Sequence, residues 1–430
     1  MDPQPGCPNY VDPCEKNPIP GCPNYVDPCE TDPQPGCPNY EMPLIAGKLT
    51  LGTTEYTVDS THIEKLEEGF WYLYAQLKNE DKPLVIHSLR YSTGTAGYSI
   101  ETWSGQDSVA GKERPSAMVN RYEQAGRQVK VAVNGGFYGT AVGGMPMSLE
   151  VVNGLVIFPV SDANPQPVIG FDAHNLPYID SVSFNAKVKD KDNREFPIIS
   201  VNGERWADNL VLHHSFRGKR TKTNPWGTEV LCVPMTAQWE KMGNHINVRC
   251  RIEKIQGVGS GNMAIPKGKI VLSGNGTASD YLAALQEGDD INVTVDYTLL
   301  YDPAINSTVV RNAVSGFNII LRNGHIASIP AAITGADRDM LLANNPRTSA
   351  GYSADRKYVY FTVVEGRRTG VSAGVSTPEL GQVMKYLGAD NALNLDGGGS
   401  SCLMINKETK NYLSDGSQRA IANGLAIIKK

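Results

Sequence analysis

A repeat of fifteen residues fills the start of the chain and sets the strongest limit on how it can fold. The hexapeptide Pro-Gly-Cys-Pro-Asn-Tyr occurs at residues 5–10, 20–25 and 35–40, and residues 1–43 hold 12 of the 27 prolines. Because proline lacks the backbone N–H donor and disrupts helix interiors and central strands, neither element can form here. We predict that residues 1–43 are an extended tail or stalk, a linker rather than a specific binding module.

The same segment holds five of the eight cysteines, at positions 7, 14, 22, 29 and 37. The spacing is wider than that of a zinc knuckle, where roughly two to four residues separate the ligands. Small disulfide loops fit it better, and they favour an oxidising compartment, with at least one thiol left over. The sequence begins Met1-Asp2-Pro3, without a basic and apolar leader. We therefore expect an exported protein (periplasmic, cell-surface or secreted) whose signal is absent from this sequence.

Charge limits the partners of the remaining chain. The formal net charge is −5, and residues 1–43 alone carry seven acidic side chains against one lysine. Residues 44–430 are close to neutral, with 39 basic and 38 acidic side chains. They have no sequence-wide basic field, so we predict no nucleic-acid partner and no anionic membrane surface. No run of 18 apolar residues occurs, and we predict no transmembrane segment.

From residue 44 onward, short apolar runs separated by Gly, Pro, Asn and Asp predict an α+β domain, a strand-rich mixed sheet with few helices. Helices are predicted at 113–127, 279–286 and 378–387, the last with Thr377 as its N-cap. Residues 172–311 form either a separate lobe or an insertion in the same sheet. Cys232 and Cys250 are candidates for a bridge, whereas Cys402 is predicted to be a buried free thiol. Strands are predicted at 84–89, 129–133, 151–158, 229–233, 246–252, 291–300, 317–321, 358–364, 392–395 and 425–428.

The most unusual segment follows the predicted strand at 392–395. Asp396 ends that strand, and Gly397, Gly398 and Gly399 precede Ser400. Glycines lack a Cβ atom, so their N–H groups can approach an anion closely or form an oxyanion nest. The alternative is a flexible turn capped by the aspartate. Three glycines exceed what a simple turn needs, so we favour a functional site.

Three further segments share this form, in which an apolar strand adjoins a polar residue and glycines. Asn134-Gly135-Gly136 follows the strand at 129–133, and Glu365-Gly366-Arg367 follows the strand at 358–364. Arg347 comes after Pro346, which keeps its predecessor out of the helical region and holds the arginine on a stiff approach. Alone, each has an ordinary explanation: a hairpin turn, an ion pair and a solvated surface arginine. Their shared form predicts that the loops converge on one cleft.

Taken together, these segments resemble the phosphodiester glycosidase family. The resemblance rests on Asn134-Gly-Gly-Phe-Tyr, Asn345-Pro-Arg-Thr, Glu365-Gly-Arg, Ala392-Leu-Asn-Leu-Asp-Gly-Gly-Gly-Ser-Ser and Arg419-Ala-Ile-Ala-Asn-Gly-Leu. It implies a hydrolase that removes an α-linked N-acetylglucosamine, or a similar sugar, from a phosphodiester. The substrate would be a phosphorylated glycan or another cell-surface polymer. This sequence departs from the family pattern at two places, where the family usually reads Asp-Gly-Arg at 365–367 and Gly-Met-Thr-Leu at 374–377. These differences affect the predicted substrate more than the predicted reaction.

The resemblance also implies roles for the residues. When the C1–O bond breaks, the leaving group is a phosphate, so one carboxylate and cationic or N–H donors on the phosphate suffice. The implied catalytic residues are Asp396 as nucleophile or base, Arg347 as a two-pronged phosphate donor, Asn134 as an orienting group and Glu365 as a second acid. The implied substrate and phosphate contacts are Gly135, Gly136, Thr348, Arg367, Ser376, Gly397, Gly398, Gly399 and Ser400.

Two other functions stay open at this stage. If the P–O bond breaks instead, the chain is a metal-dependent phosphodiesterase in which Asp396 holds a divalent cation. Apart from that cation, the motifs require no cofactor. The second alternative is a non-catalytic surface protein that binds glycan and is tethered by the N-terminal stalk. Such a protein would not require both Asp396 and Glu365 near one arginine.

Overall fold

Antiparallel strands dominate the computed structural model, which describes residues 47–140, 143–159, 166–302 and 310–430. The N-terminal repeat, with its predicted tail conformation and disulfide loops, lies outside the described residues. Up to residue 159 the strands are β1 (Lys48–Leu51), β2 (Thr54–Glu67), β3 (Phe70–Lys78), β4 (Leu84–Ser92), β5 (Tyr98–Ser104), β6 (Gln128–Asn134), β7 (Tyr138–Gly139), β8 (Met145–Pro146), β9 (Glu150–Val152) and β10 (Leu155–Phe158).

The remaining strands and the helices follow in chain order. Residues 166–302 contain β11 (Val168–Asp172), β12 (Pro177–Asp180), β13 (Val182–Lys189), β14 (Glu195–Pro197), β15 (Ser200–Val201), β16 (Leu210–His213), β17 (Thr228–Pro234), β18 (His245–Gln256), β19 (Ile270–Gly274) and β20 (Asp290–Leu299). Residues 310–430 contain β21 (Val310–Ser315), β22 (Asn318–Arg322), β23 (His325–Ile326), β24 (Arg347–Tyr352), β25 (Tyr358–Val364), β26 (Asn391–Asn394), β27 (Leu403–Ile405), β28 (Glu408–Thr409) and β29 (Asn423–Lys429). The α-helices of the described residues are α1 (Pro115–Gln124), α2 (Thr277–Ala283), α3 (Gly335–Leu342) and α4 (Thr377–Tyr386).

Four large sheets organise these strands, and the α+β class is confirmed. The nine-stranded sheet has the order β1-β2-β3-β4-β25-β24-β26-β22-β23, and the eight-stranded sheet has the order β14-β13-β20-β18-β17-β19-β16-β15. The first five-stranded sheet is β10-β9-β21-β11-β12, and the second is β28-β27-β6-β29-β5. One shared core packs the second five-stranded sheet against the nine-stranded sheet, through residues such as Val133, Leu395 and Leu425.

The eight-stranded sheet, which we call the lobe, takes all its strands from 182–299. In the sequence, the lobe is inserted between β12 and β21, which are both strands of the first five-stranded sheet. The lobe occupies a narrower range than 172–311, because Asp172 on β11 and Val310 on β21 pair with each other in the first five-stranded sheet. Core residues of the lobe pack with Val151 and Leu155, so the inserted sheet shares a core with the first five-stranded sheet.

Two predicted boundaries are wrong for local reasons. The strand predicted at 151–158 is a hairpin, because Asn153 and Gly154 both adopt positive φ, which a tight two-residue turn requires. Helix α4 begins one residue earlier than predicted, with Ser376 as its N-cap. Ser376 Oγ accepts from the backbone N–H of Glu379, and the Glu379 carboxylate accepts in return from Ser376 N–H. This reciprocal capping box fixes the start of the helix.

Other predictions for individual residues agree with the structure. All four residues of β26 and the first six of β29 are buried, which is typical of strands covered on both faces. Cys402 is a buried free thiol, and Cys232 and Cys250 are buried free thiols as well, without the bridge that sequence left open. No α-helix within the described residues is long and apolar enough to cross a membrane.

Candidate active site

Strand order brings three of the four predicted catalytic residues to one edge of the nine-stranded sheet. Strand β24 lies between β25 and β26 and is antiparallel to both. The start of β24, at Arg347, therefore lies beside the ends of β25 and β26. Glu365 follows β25 directly, and Asp396 follows β26 after one residue. The predicted convergence of these loops is thus a consequence of the sheet topology.

Asn134 connects the second five-stranded sheet to this edge. Its side chain is fully buried, and Nδ2 donates to the backbone carbonyl of Asp396 at 2.7 Å. Its Oδ1 accepts from Thr348 Oγ1 at 2.8 Å and from Cys402 N at 3.1 Å. The amide is saturated by the protein itself, so Asn134 and Thr348 hold the loops in place and have no donor left for a substrate.

Gly135 and Gly136 also serve to join loops. Gly135 N donates to Asn423 O and Gly136 N donates to Asn423 Oδ1, both at 2.9 Å, while Gly135 O accepts from Asp396 N at 3.0 Å. A Cβ atom on either glycine would overlap the Asn423 side chain or Ser315 O. Both predicted substrate contacts are therefore positions of close backbone approach.

Asp396 is the half-buried carboxylate at the centre of this arrangement. Burial raises its pKa to about 6, although hydrogen bonds from Ser400 and from Gly397 N, with the positive charge of Arg419, oppose the shift. Gly397 N lies 2.9 Å from Asp396 Oδ1. A carboxyl group with this pKa can exchange a proton near neutral pH, which is what a general base or nucleophile needs.

Two neighbours of Asp396 were not among the predicted site residues. Arg419 donates through Nη1 to Ser400 Oγ at 3.5 Å and through Nε and Nη2 to Asp415 Oδ2 at 3.0 and 2.7 Å. Burial and the Asp396 charge raise the pKa of Tyr138, so its hydroxyl stays protonated. The sequence did contain a signal, since Tyr138 closes the Asn134 motif and Arg419 opens the last motif of the family resemblance.

Two of the three glycine N–H groups in the predicted anion nest, those of Gly397 and Gly398, form hydrogen bonds within the protein. Gly397 N donates to Asp396 Oδ1, Gly398 N donates to Pro346 O at 2.8 Å, and Ser400 N donates to Gly397 O at 3.1 Å. The glycines are required for packing instead. A Cβ on Gly397 would lie 2.7 Å from Pro346 O, and one on Gly399 would overlap the Asp415 carboxylate. Gly398 adopts φ +59°, a conformation that glycine accepts without strain.

Arg347 does not present the predicted fork to a phosphate. It is buried, its Nε donates to Val375 O at 3.0 Å, and its Nη2 donates to carbonyls near the end of α3, including Met340 O at 2.6 Å and Ala343 O at 2.9 Å. The last carbonyls of a helix lack partners within the helix, and they attract cations. Burial, with the nearby charge of Arg367, lowers the pKa of Arg347 to about 10. Arg347 holds α3 against the start of β24.

Arg367 is the better-placed cation for a phosphate. Its side chain is exposed, its Nη2 donates to Asn345 Oδ1 at 3.0 Å, and a Cβ on Gly398 would lie 3.2 Å from the same nitrogen. The guanidinium therefore covers the glycine loop that follows Asp396. Arg367 has a positive φ of 57°, which turns the chain back immediately after β25. The phosphate contact predicted for Arg367 stays a prediction.

Glu365 belongs to a buried polar network. Its Oε1 accepts from His87 Nε2 at 2.9 Å and from Tyr412 N at 2.7 Å, while Oε2 accepts from Arg368 Nη1 at 3.0 Å. His87 Nδ1 in turn lies 2.7 Å from Tyr72 OH. Burial acts to raise the pKa of Glu365, but these donors outweigh it and lower that pKa. Glu365 is thus a charged acceptor rather than the predicted second acid, and no motif pointed to His87.

Ser376 likewise has a structural task, because its hydroxyl donates to Glu379 Oε2 at 2.7 Å within the capping box of α4. Its predicted contact with substrate would compete with that bond. Among the described residues, no group of three or more His, Cys, Asp or Glu side chains is arranged to hold a metal ion. We therefore derive no step through a divalent cation.

Part of the chain is similar to a known protein family. Residues 245–428 match the family model described as phosphodiester glycosidase, and three of the motif loops, at 345–348, 365–367 and 394–401, lie within that match. The resemblance that the motifs indicated is confirmed for this part of the chain, because residues 245–428 are similar to the phosphodiester glycosidases. Among curated proteins, no sequence matches the chain.

Two solved structures with TM-scores of 0.67 show the same fold. A hypothetical protein from Synechocystis matches with a TM-score of 0.67 and 15% identity over 86% of this chain, which spans 64% of that protein's chain. A protein from Burkholderia pseudomallei, described as exported, matches with a TM-score of 0.67 and 16% identity over 90% of this chain and 99% of the other. The zebrafish N-acetylglucosamine-1-phosphodiester α-N-acetylglucosaminidase catalytic domain matches with a TM-score of 0.44 and 14% identity, over 86% and 87% of the two chains.

Proposed function

We propose that this chain is an exported hydrolase that cleaves the C1–O bond of a sugar phosphodiester and releases the free sugar. The sugar is N-acetylglucosamine or a close relative, and the phosphate remains on the acceptor. The observation that supports this most is the position of Asp396, a carboxyl group with a pKa of about 6 that precedes a glycine loop approached by two guanidinium groups. Arg367 covers the loop after Asp396, and Arg419 reaches Ser400 on that loop's far side.

In the proposed reaction, ionised Asp396 either takes a proton from water that attacks C1 or attacks C1 itself. The C1–O bond breaks, and its electron pair stays on the phosphate oxygen. When Asp396 is the nucleophile, water then attacks C1 of the sugar–Asp396 ester, which frees the sugar and restores the carboxylate. Arg367 binds the phosphate and stabilises the charge that develops there, a contribution that is large in a partly dehydrated cleft. The Tyr138 hydroxyl, which stays protonated, donates to Ala420 O at 3.2 Å beside the same site.

The remaining predicted residues act through these groups. Asn134 and Thr348 fix the backbone of Asp396, and Arg347 fixes the strand between the two acidic loops. Glu365 anchors Arg368 and the Tyr412 backbone, which belongs to the segment that carries Asp415 and Arg419. We assign these four as positioning residues.

Hydrolysis of a small N-acetylglucosamine 1-phosphodiester in ¹⁸O water tests the reaction. Cleavage of C1–O places the label on the sugar, whereas cleavage of P–O places it on the phosphate. We expect the label on the sugar, with equal rates with and without a chelator. Label on the phosphate together with chelator sensitivity would establish a metal-dependent phosphodiesterase instead. The anomer first seen by NMR separates direct attack by water from attack by Asp396, because one displacement inverts and two retain.

A further inference from the structure

A cavity of about 860 Å³ lies where helix α1 meets the lobe, and it shares no lining residue with the candidate active site. Cations from both sides surround it. We call it the basic groove and define it by the five cationic residues Arg121, Arg127, Lys219, Lys241 and Lys267. Asp107 and Glu240 are the carboxylates in its lining. Because residues 44–430 are close to neutral overall, with 39 basic and 38 acidic side chains, five cations against two carboxylates is a local excess of positive charge.

The three lysines give the groove its available charge. Arg121 is paired with Asp107 at 2.6 Å and with Glu113 at 2.9 Å, and Arg127 is paired with Glu101. By contrast, none of Lys219, Lys241 and Lys267 has an ion-pair partner in the part of the chain that the structure describes, and all three are exposed. Unpaired cations that converge on one cavity attract an anion without first breaking an internal pair.

The walls of the groove are fixed by backbone hydrogen bonds. Val109 N donates to Phe216 O and Gly243 N donates to Gly154 O, both at 2.9 Å, which joins the lobe to its neighbours. Arg311 Nη1 donates to Lys241 O at 2.6 Å. Gly154 has φ +89°, and a Cβ there would lie 2.9 Å from the Lys241 carbonyl carbon. The groove is therefore preformed, which reduces the entropy cost of binding.

The floor of the groove is apolar. Leu155 and Ile265 are almost fully buried, and Val152 and Phe216 are half-buried beside them. An apolar floor below a cationic rim suits a polymer in which sugar rings alternate with phosphate groups. The C–H faces of a sugar ring can pack on the floor, while the phosphates on either side of the ring bind the lysines.

We propose that the basic groove binds a sugar–phosphate stretch of a polymeric substrate, apart from the bond that is cleaved. The identity of the substrate rests on the proposed function, whereas the groove's preference for polyanions rests on its own residues. Binding at a second place raises the effective concentration of the polymer at Asp396. Short phosphodiesters that cannot occupy both places gain nothing from the groove.

The test compares the triple variant Lys219→Gln, Lys241→Gln, Lys267→Gln with a matched control, Lys82→Gln, Lys254→Gln, Lys385→Gln. The control removes three other exposed lysines that lie outside the groove. A fluorescent polymer of N-acetylglucosamine units joined by 1-phosphodiester bonds is the binding probe, with single-stranded DNA, polygalacturonate and uncharged dextran as competitors. Binding is measured at about 50 mM and about 200 mM NaCl, because phosphate contacts are salt-dependent.

We expect the groove variant to bind the polymer about tenfold more weakly at low salt, with a shallower salt dependence, and the control to match the unaltered protein. Both should cleave a small phosphodiester normally. Unchanged polymer affinity in the groove variant would overturn the proposal, and so would tighter binding of DNA or polygalacturonate than of the phosphate polymer. If groove-dependent binding occurs but neither substrate is cleaved, the groove stands and the proposed function fails. If the polymer and the small phosphodiester are both cleaved but the groove variant binds the polymer normally, the proposed function stands and the groove proposal fails.

Discussion

Asn134 and Asp396 are joined across 262 positions of sequence by a hydrogen bond of 2.7 Å, from the amide Nδ2 to the backbone carbonyl. The bond connects the end of β6, in the second five-stranded sheet, to the loop after β26, in the nine-stranded sheet. It holds the backbone and leaves the Asp396 carboxylate available for chemistry. The precision of the site therefore depends on how two sheets are fastened together.

Replacing Asn134 by alanine should damage both stability and activity. The variant leaves Thr348 Oγ1 and Cys402 N without their acceptor in a fully buried place. We expect the free energy of unfolding to fall by about 2 kcal/mol, and kcat to fall because the Asp396 loop is no longer fixed. Denaturant titration and kinetics measure the two effects. Asn247→Ala, at an exposed position on β18, is the control and should change neither. An Asn134→Ala protein with an unaltered free energy of unfolding would show that the hydrogen bonds of Asn134 do not stabilise the fold.

The two arginines beside the site should respond in opposite ways. Arg347→Lys should lower the unfolding free energy by about 1–3 kcal/mol, because one ammonium cannot replace the bonds that a guanidinium makes to several buried carbonyls. Arg367→Gln should leave the melting temperature unchanged and weaken kcat/KM, since its side chain is exposed. Calorimetry measures the stability of both variants, and steady-state kinetics measures their kcat/KM. The opposite pattern, with Arg347 affecting only turnover and Arg367 only stability, would reverse the assignments made above.

Glu150 should make the stability of the protein depend on pH. Its carboxylate is buried beneath the Asn134 loop and accepts from Ser104 Oγ and, at 2.7 Å, from Asn423 Nδ2. Burial raises its pKa to about 7, above the value of about 4.3 expected in the unfolded chain. The folded state therefore binds the proton more tightly, so this contribution to stability is complete below about pH 4 and is lost as pH rises to about 7.

Glu150→Gln imitates the protonated form, with its amide oxygen facing Asn423 and its NH₂ facing Ser104. Between pH 5 and 8, at about half-unit steps, the melting temperature of the unaltered protein should fall more steeply than that of the variant. Melting curves with the same pH dependence for both proteins would contradict the assignment of a protonated Glu150.

Removal of residues 1–43 should leave folding and catalysis of the small substrate intact. The segment has a high proline content and few residues that could build a core. Circular dichroism, the melting temperature and kcat/KM of the shortened chain provide the comparison. A shortened chain that fails to fold or loses most of its activity would mean that the repeat packs on the rest of the protein.

The sequence predicted strands and their convergence well, because both depend on local pattern. Strand β25 is apolar except for Thr362, and β26 carries Ala392 and Leu393 at its centre. Polar residues that follow these strands lie at the same edge because both strands pair antiparallel with β24. What sequence could not supply is the partner of each side chain. Arg347 follows a strand-edge pattern that suits a phosphate ligand, yet the end of α3 takes its hydrogen bonds, and α3 has too few apolar residues to be predicted.

The same limit explains the residues that were missed. His87 lies in an apolar strand without a motif, and its role appears only when β4 pairs with β25 and places it beside Glu365. Arg419 stood in a family motif, but its proximity to Asp396 depends on the glycine loop, where Gly399 lets the Asp415 and Arg419 side chains approach. Contacts of this kind are set by tertiary packing and have no periodicity in the sequence.

The most direct test of the account is kcat/KM for Asp396→Asn on the small sugar phosphodiester, beside the exposed control Asp192→Asn. The substitution keeps the size of the side chain and removes the charge that attack on C1 or on water requires. We predict a loss of at least about 100-fold, or about 2.7 kcal/mol of barrier, with the control unchanged. The activity of the unaltered protein should rise as pH increases through about 6, as Asp396 ionises. The variant's melting temperature above that pH should be no lower, because burial disfavours the lost charge. Turnover by Asp396→Asn close to that of the unaltered protein, in a folded chain, would contradict the catalytic assignment.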